Sequence, residues 1–490
     1  MSSCKKTKII FTIGPATSSD EVLESLFKAG ANICRINAAH ADQAAIVRSI
    51  EKIKEVNARM GTFVSTLVDI KGPEIRTGDL FMPENGELVE KEKVNLEVGQ
   101  QLYMLLKPNA DLPQDDLQVC VNYGGMIEDA EIGQTLLLDN GLLSLKVVEV
   151  AKDYLKAEVA IGGPLGQRRH VNLPGVYVRL PSITEKDKVD TKVAVEAGVD
   201  FIALSFVRSA QDVLNLRAYL RDIQSDAKII AKIEDESGVK HLEEIIKASD
   251  GIMVARGDLG VETPIEYIPI EQGRMAKLCH QYGKPVVIAT HMLESMIHSP
   301  IPTRAEVTDI AHAVGVNRAD AIMLSGETGV GSYPVECVNM MTTVALAQEK
   351  MMTTGSSSEL RLNGTKEQLI RSAVDLADSL DGASIVVFTR DGFSAKILAT
   401  LRPAQSRIFA CTDREEVARE MSLYWGVEPI LLALGQHQMS EEYAVNEAVV
   451  QLQTRNLVSI GEDLVVLAKT SVKSNIPGDM VDSLQVRKVK

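Results

Sequence analysis

"KIIAKIEDESGVKHLEEIIKASDGIMVARGD" occupies residues 228–258 and decides the fold. It opens on a short apolar run (228–234), passes through the amphipathic stretch "VKHLEEIIKAS", and returns to a second apolar run, "GIMVARG" (251–257). Continuous apolar runs of this length read as strands buried on both faces, and a helix between two of them makes the pair parallel. Polar residues gather where the runs end: Lys232 and Glu234 at the first, Arg256 and Asp258 at the second.

The same alternation continues in both directions. Further strand candidates are "TKIIFTI" (7–13), "ANICRIN" (31–37), "TFVSTLVDI" (62–70), "DFIALSF" (200–206), "PVVIAT" (285–290) and "AIMLSG" (321–326), which makes eight in all. Helical patterns such as "SDEVLESLFKAG" and "SAQDVLNLRAYLRDI" lie between them, and Thr303 with Glu306 forms a capping-box signature opening another. Eight β-then-α units give the fold class α/β, a (β/α)8 TIM barrel.

One interval interrupts the barrel. Between Ile70 and Asp200 the chain carries "VNLEVGQQLYMLL", "GQTLLLDNGLLSLKVVEV" and "YLKAEVAIGG", alternating hairpin strands with Asn140-Gly141 as a turn signal. The barrel therefore occupies residues 1–75 and 173–352, with an inserted small β-barrel lid domain over 76–172. The insertion follows a strand end, on the face where barrel active sites form. After about residue 353, "MTTGSSSELRLNGTKE" reads as a linker, and four further strand patterns alternate with helices up to residue 490. They read as a C-terminal open α/β domain (353–490), a candidate regulatory unit.

Composition narrows the function. The chain has 490 residues, 45% of them hydrophobic but only 4% aromatic, and a formal net charge of -15. An acidic balance argues against a nucleic-acid partner, which needs a basic surface. The six cysteines are scattered without metal spacing and read as buried free thiols in a reducing compartment. The N-terminal apolar run is too short for a signal peptide, and no stretch approaches the ~20 apolar residues of a membrane span. A cytoplasmic protein without a membrane partner is expected.

The chemistry collects at strand ends. Strand two ends with Arg35 and Asn37, strand three with Asp69 ahead of Lys71 and Arg76, strand five with Lys232 and Glu234, strand six leads to Asp258, and strand seven closes with Thr290. A single charged residue there is ordinarily a solvated cap; five strands supplying polar groups to one rim is not capping. Lys232 and Glu234 share a face by alternation, and alone could form an internal salt bridge. With Asp258 on the neighbouring strand, two carboxylates could hold one hard divalent cation such as Mg²⁺, leaving Lys232 to face developing negative charge. Arg35, Lys71 and Arg76 add fixed positive charge, and the set describes a phosphoryl-transfer site. In "MVARGDLG", Gly257 and Gly260 allow close backbone approach to a carboxylate or phosphate. No P-loop and no dinucleotide fingerprint is present. His170, His241, His280, His298, His312 and His437 read as surface or satisfied core residues, and His291 as a neighbour of the Thr290 position.

With these residues in view, the chain resembles pyruvate kinases from end to end. The motifs that carry the resemblance are "TIGPAT" (12–17), "KGPEIRTG" (71–78), "VNLPG" (171–175), "AKIED" (231–235), "MVARGDLGVE" (253–262), "ATHMLESM" (289–296), "PTRAE" (302–306) and "IMLSGET" (322–328). The resemblance implies transfer of the phosphoryl group of phosphoenolpyruvate to ADP, giving pyruvate and ATP in glycolysis, by a cytoplasmic homotetramer using Mg²⁺ and K⁺. It implies that Lys232 stabilises the transferring phosphoryl group and that Glu234 and Asp258 hold Mg²⁺. Arg35 would grip the phosphate. The backbone at Gly257 and Asp258, with Thr290, would bind the substrate carboxylate, and Thr290 would relay a proton. Ser205 and Phe206 would line the pocket. Asn37, His40, Arg76 and Arg169 would meet the nucleotide, with Asp139 facing the site from the lid. Asn37, Asp69 and the Ile70 carbonyl would hold K⁺, with Glu74 the residue associated with K⁺ dependence.

Three departures matter. The family usually reads Asn-Phe-Ser-His where this chain has Asn37-Ala38-Ala39-His40, so Ala39 removes a K⁺ ligand and a weakened K⁺ site is expected. Arg169 stands where lysine is common. In the effector region "FTRDGFSAK", Asp391 puts negative charge where a phosphate would sit, which argues against activation by a sugar bisphosphate. Two other readings compete: a catalytically weakened paralogue with a binding role, favoured by Ala38 and Ala39, and a different barrel enzyme acting on phosphoenolpyruvate or pyruvate.

Overall fold

The computed structural model describes residues 5–84, 87–113, 116–176, 178–352, 360–362, 364–380, 383–432, 441–471 and 480–490. Eight strands close into a parallel barrel: β1 (Lys8–Thr12), β2 (Ile33–Asn37), β3 (Ser65–Ile70), β4 (Phe201–Leu204), β5 (Lys228–Ile233), β6 (Gly251–Ala255), β7 (Val286–Ala289) and β8 (Ala321–Met323). Each pairs with the next in sequence, and β8 returns to β1 with Lys8 opposite Ala321.

Strand alternation sorts the side chains. Ile33, Leu67, Ala203 and Ile230 belong to the apolar layer inside the barrel, whereas Cys34, Val68, Ile202 and Ile229 pack outward with the helices. Two residues further along each strand, the inward positions are Arg35, Asp69, Ser205 and Lys232. A polar layer thus rests on an apolar one at the C-terminal rim. The capping box at Thr303 is present, with the Glu306 N–H donating to Thr303 Oγ1 at 3.3 Å.

The insertion after β3 forms a half-barrel. Eight strands between Thr77 and Asn172 make one mostly antiparallel sheet, and a two-stranded ribbon pairs Lys93–Leu96 with Gly163–Gly166. Leu80, Val119, Leu136, Leu145 and Val159 fill its separate core. The turn at Asp139, Asn140 and Gly141 has φ of 50°, 57° and 83° and joins strands paired at Leu138 and Leu143. Left-handed backbone at Asn-Gly is what a tight hairpin demands.

The C-terminal domain is an open five-stranded sheet in the order β11-β10-β9-β12-β13: β9 (Ser384–Phe388), β10 (Ile408–Thr412), β11 (Val427–Leu431), β12 (Asp463–Ser471) and β13 (Met480–Lys488). The fifth strand is absent from the sequence reading. It is an antiparallel edge strand, pairing Lys488 with Asp463, and its segment lacks the apolar run of a central strand. Residues 353–359 and 363 of the linker lie outside the described residues.

This domain packs under the N-terminal ends of the barrel strands. Arg419 Nε meets Asp200 Oδ1 at 2.8 Å, Ser65 Oγ meets Ser422 Oγ at 2.7 Å, and Lys8 Nζ donates to the Val427 carbonyl at 2.6 Å. Arg402, only 2% exposed, pairs with Asp320 at 2.8 Å and lies 4.4 Å over the Trp425 ring. His280 beside it is pushed down from 6.5 to about 3, by burial first and by the Arg402 guanidinium second. The unfolded chain therefore takes up a proton below pH 6.5 that the folded one refuses until about pH 3. Stability from this residue is complete above that window and is lost as pH falls through it. His280→Asn should remove this part of the acid sensitivity, read as a flatter plot of urea midpoint against pH between about 6 and 4.

Candidate active site

Lys232 is the centre of the polar layer. Its Nζ lies 2.9 Å from Glu234 Oε1, 3.1 Å from Asp69 Oδ1 and 2.7 Å from Ser205 Oγ. Asp69 also receives Arg35, Nε and Nη2 both at 2.7 Å, and Arg35 Nη1 donates to Thr12 Oγ1 at 3.1 Å. Ser205 Oγ donates to the Ile70 carbonyl at 2.8 Å. The Phe206 N–H donates to Glu234 Oε2 at 2.7 Å. Five strands or their following residues thus converge on one network at the rim.

Its electrostatics follow from burial and pairing. Burial drives Asp69 upward, but Lys232 and Arg35 outweigh it and hold the carboxyl below its usual value. Lys232 is held protonated, because the Asp69 and Glu234 charges outweigh the cost of burial. Glu234 goes the other way, up to about 7, because burial outweighs Lys232 and because Asp258 and Asp69 add like charge. Within the network Arg35 and Lys232 balance Asp69 and Glu234, and nearby Asp258, which forms no ion pair among the described residues, adds a further carboxylate.

The neighbouring rim is shaped by strained backbone. Thr290 and His291 have φ of 69° and 53°, and Phe206 has 53°, conformations that non-glycine residues hold only under constraint. Thr290 Oγ1 accepts from the Gly257 N–H at 2.8 Å and donates to the Ala289 carbonyl at 2.7 Å. Arg256 fixes this turn: its Nη1 donates to both carboxylate oxygens of Asp309 at 2.7 Å, while Nε reaches the Ala289 carbonyl at 3.1 Å. Asp258 sits in the first turn of the short helix Arg256–Glu262.

Between lid and barrel lies a cavity of about 210 Å³, lined by Glu74, Arg76, Asp139, Asn140, Arg168, Arg169, His170 and Asp258. Glu74 holds Arg76 at 2.6 Å and Lys71 at 3.1 Å, and Arg169 approaches Asp139 at 3.5 Å. Three guanidinium groups beside a candidate metal carboxylate suit a polyanion such as a diphosphate.

The structure thus joins Arg35, Asp69, Ile70, Ser205, Phe206, Lys232 and Glu234 in one network, and joins Gly257 to Thr290. It places Arg76, Asp139, Arg169 and Asp258 around one cavity. Asn37 and His40 do not line that cavity. Asn37 Oδ1 accepts from the Ala39 N–H at 3.1 Å, and His40 is exposed. His170, read from the sequence as an uninvolved histidine, lines the cavity. Its signal was available: it sits where the insertion returns to the barrel, after two arginines. Arg256 stands out in the sequence at the end of strand six but without a role, because its partner, Asp309, is 53 residues away. Among the described residues no group of three or more His, Cys, Asp or Glu is arranged to hold a metal. Five cysteines are buried and free; Cys4 and His437 lie outside the described residues.

Comparison with known proteins agrees with this geometry. A family described as the pyruvate kinase barrel domain matches residues 4–338, and the pyruvate kinase alpha/beta domain matches 367–481. This chain belongs to the pyruvate kinase family. It is 40% identical to plastidial pyruvate kinase 2 of Arabidopsis thaliana over 490 residues, covering 99% of this chain and 81% of that one. It is likewise 40% identical to a pyruvate kinase of Bacillus licheniformis over 472 residues, covering 95% and 78%. A crystal structure of a pyruvate kinase from Cryptosporidium parvum superposes with a TM-score of 0.88 at 34% identity, covering 99% of this chain and 96% of that one. As a pyruvate kinase family member the chain is a phosphotransferase. No described helix is long and apolar enough to cross a membrane.

Proposed function

We propose that this chain transfers the phosphoryl group of phosphoenolpyruvate to ADP, giving pyruvate and ATP in the cytoplasm as a step of glycolysis. The observation that carries the reading is the Lys232 ammonium, held by Asp69, Glu234 and Ser205 inside the barrel mouth. A fixed cation in a water-poor site stabilises charge spread over a transferring phosphoryl group without reorganising during the reaction. Arg35, anchored on Asp69, adds a second donor to the phosphate. The Gly257 and Asp258 backbone and the Thr290 hydroxyl receive the substrate carboxylate, with Ser205 and Phe206 against its body. Thr290 Oγ1, already relaying a hydrogen bond from the Gly257 N–H to the Ala289 carbonyl, is placed to orient the proton delivered to the pyruvate enolate. Arg76, Arg169 and Asp139 serve the nucleotide from the cavity they line, whereas Asn37 and His40, outside that cavity, are assigned to it by the family resemblance alone.

The residues fit Mg²⁺. Glu234 and Asp258 would supply two hard carboxylates from successive barrel units, the donor type Mg²⁺ prefers, and Asp258 lies near enough to add like charge to Glu234. When bound, Mg²⁺ supplies charge neutralisation across the phosphoryl oxygens. The K⁺ set is poorer. Asp69 is occupied by Arg35 and Lys232, the Ile70 carbonyl accepts Ser205, and Ala39 offers no side-chain oxygen. K⁺ is used but weakly held: turnover should rise with K⁺ and saturate only at high concentration. Full activity without K⁺, unaltered by adding it, rejects this.

The family resemblance points to a homotetramer, and the exposed apolar side chains Ile265 (77%), Tyr267 (51%) and Ile270 (61%), within six residues of chain, suit a subunit interface. Light scattering measures the assembly. In the effector region, Asp391, one residue before the Gly392 N-cap, accepts the Phe393 N–H at 3.1 Å at the start of the helix Phe393–Leu401. The negative charge there supports a C-terminal domain that takes no sugar bisphosphate. A coupled assay of pyruvate formation from phosphoenolpyruvate and ADP, with and without Mg²⁺ and K⁺, tests the whole reading; no pyruvate with both ions present rejects it.

A further inference from the structure

Phe206 holds a costly conformation. Its φ of 53° is left-handed, which an aromatic residue adopts only when its surroundings impose it. That conformation aims its N–H at Glu234 Oε2, 2.7 Å away. Something must therefore hold Phe206 in place. On one side is Gly72, with φ of 70°; a Cβ there would lie 3.0 Å from the Ser205 Cβ and 3.3 Å from Phe206 Cδ2, so the absent side chain leaves room for the ring. The ring also meets His170 of the lid, whose ring lies 5.9 Å from the Phe206 ring at a tilt of 58°.

His170 is itself tightly placed. It bridges Arg76 across the two strands that connect lid to barrel, and its carbonyl accepts the Asp139 N–H at 3.0 Å. The entry strand, the return strand and the Asp139–Gly141 turn thus meet at one residue. Burial pulls the imidazole below its ordinary value, against the raising effect of the Glu74 and Asp258 carboxylates. The half-buried ring meets its aromatic neighbour through shape.

We propose that His170 is a positioning residue for the divalent-cation site: it clamps Phe206 against Gly72, so that the Phe206 N–H fixes the Glu234 carboxylate. The lid thereby sets the geometry of a barrel carboxylate that it does not touch. The proposal rests on Glu234 being a cation ligand, as in the function proposed above. It assigns His170 a role in a reaction for which its position in the lid suggests only nucleotide contact. Groups that orient a metal ligand commonly alter metal affinity by 10–100-fold when removed.

The test is Mn²⁺ binding to the full-length protein without substrates, followed by electron paramagnetic resonance. His170→Gly should weaken Mn²⁺ by about tenfold, and His170→Phe, which keeps a ring but no nitrogen, should restore it. In a Phe206→Leu background, His170→Gly should add little, because both changes break one chain of contact. Unchanged Mn²⁺ affinity in His170→Gly overturns the proposal. So does failure of His170→Phe to restore it, or full additivity with Phe206→Leu. A rise in the KM for ADP alone, with Mn²⁺ affinity intact, also overturns it and makes His170 a nucleotide contact. The readout needs no turnover, so failure of the phosphotransfer reading shows separately, as wild-type protein that binds Mn²⁺ but forms no pyruvate.

Discussion

Lys232→Met is expected to cut turnover by roughly 10²–10³ while phosphoenolpyruvate still binds with Mg²⁺. The methionine fills the space of the lysine's aliphatic stem without its ammonium, and the network has other supports. Asp69 keeps its two contacts from Arg35, and Glu234 keeps the Phe206 N–H. Glu234, already pushed up to about 7, can take a proton when the ammonium is gone, so the loss of its partner need not leave a bare buried charge. What is lost is the fixed positive charge where the phosphoryl group passes. Removing one preorganised donor costs about 3–4 kcal/mol of barrier, or roughly 10²–10³ in kcat. Steady-state assay gives the rate, and calorimetric titration with phosphoenolpyruvate and Mg²⁺ gives the retained binding. Near-normal turnover would remove Lys232 from its assigned role.

The second large effect concerns stability. Arg402→Met should destabilise the protein by about 3–5 kcal/mol, because Asp320 is left buried beside it without a cation. The guanidinium also covers the Trp425 ring and donates to the Arg318 carbonyl at 2.8 Å, so packing goes with the charge. Urea denaturation reports the loss as a lower midpoint. Adding Asp320→Asn should recover part of it, since the orphaned charge is removed. A midpoint equal to wild type for Arg402→Met would show that this pair does not hold the C-terminal domain to the barrel base. Phosphotransfer should be little affected below the unfolding range, because Asp320 precedes β8 at the end of the barrel opposite Lys232.

The barrel was legible because each of its strands is buried on both faces. That burial writes an uninterrupted apolar run, and the run stops where the side chains reach the rim. Arg35, Asp69, Lys232 and Glu234 stand out in the sequence for that reason. The antiparallel edge strand Met480–Lys488 was not legible, since one open edge relaxes the demand for a continuous apolar run. Thr290 was noticed as a strand end, but its backbone strain was not, because φ depends on what holds the turn. Arg256 holds that turn from 33 and 34 residues away in sequence and is itself held by Asp309 at a separation of 53.

The sequence by itself determined the eight-unit barrel, the insertion after its third strand, the C-terminal α/β domain and the residue types at the rim. Local patterning suffices for these, because periodicity and burial are properties of each segment. Only the tertiary structure decided which rim groups touch. It spent Asp69 on both Arg35 and Lys232, left Glu234 pushed up towards neutrality, and brought His170 from the lid against Phe206. Such pairings depend on distances between segments far apart along the chain, and charge is stabilised or crowded only once those distances are set.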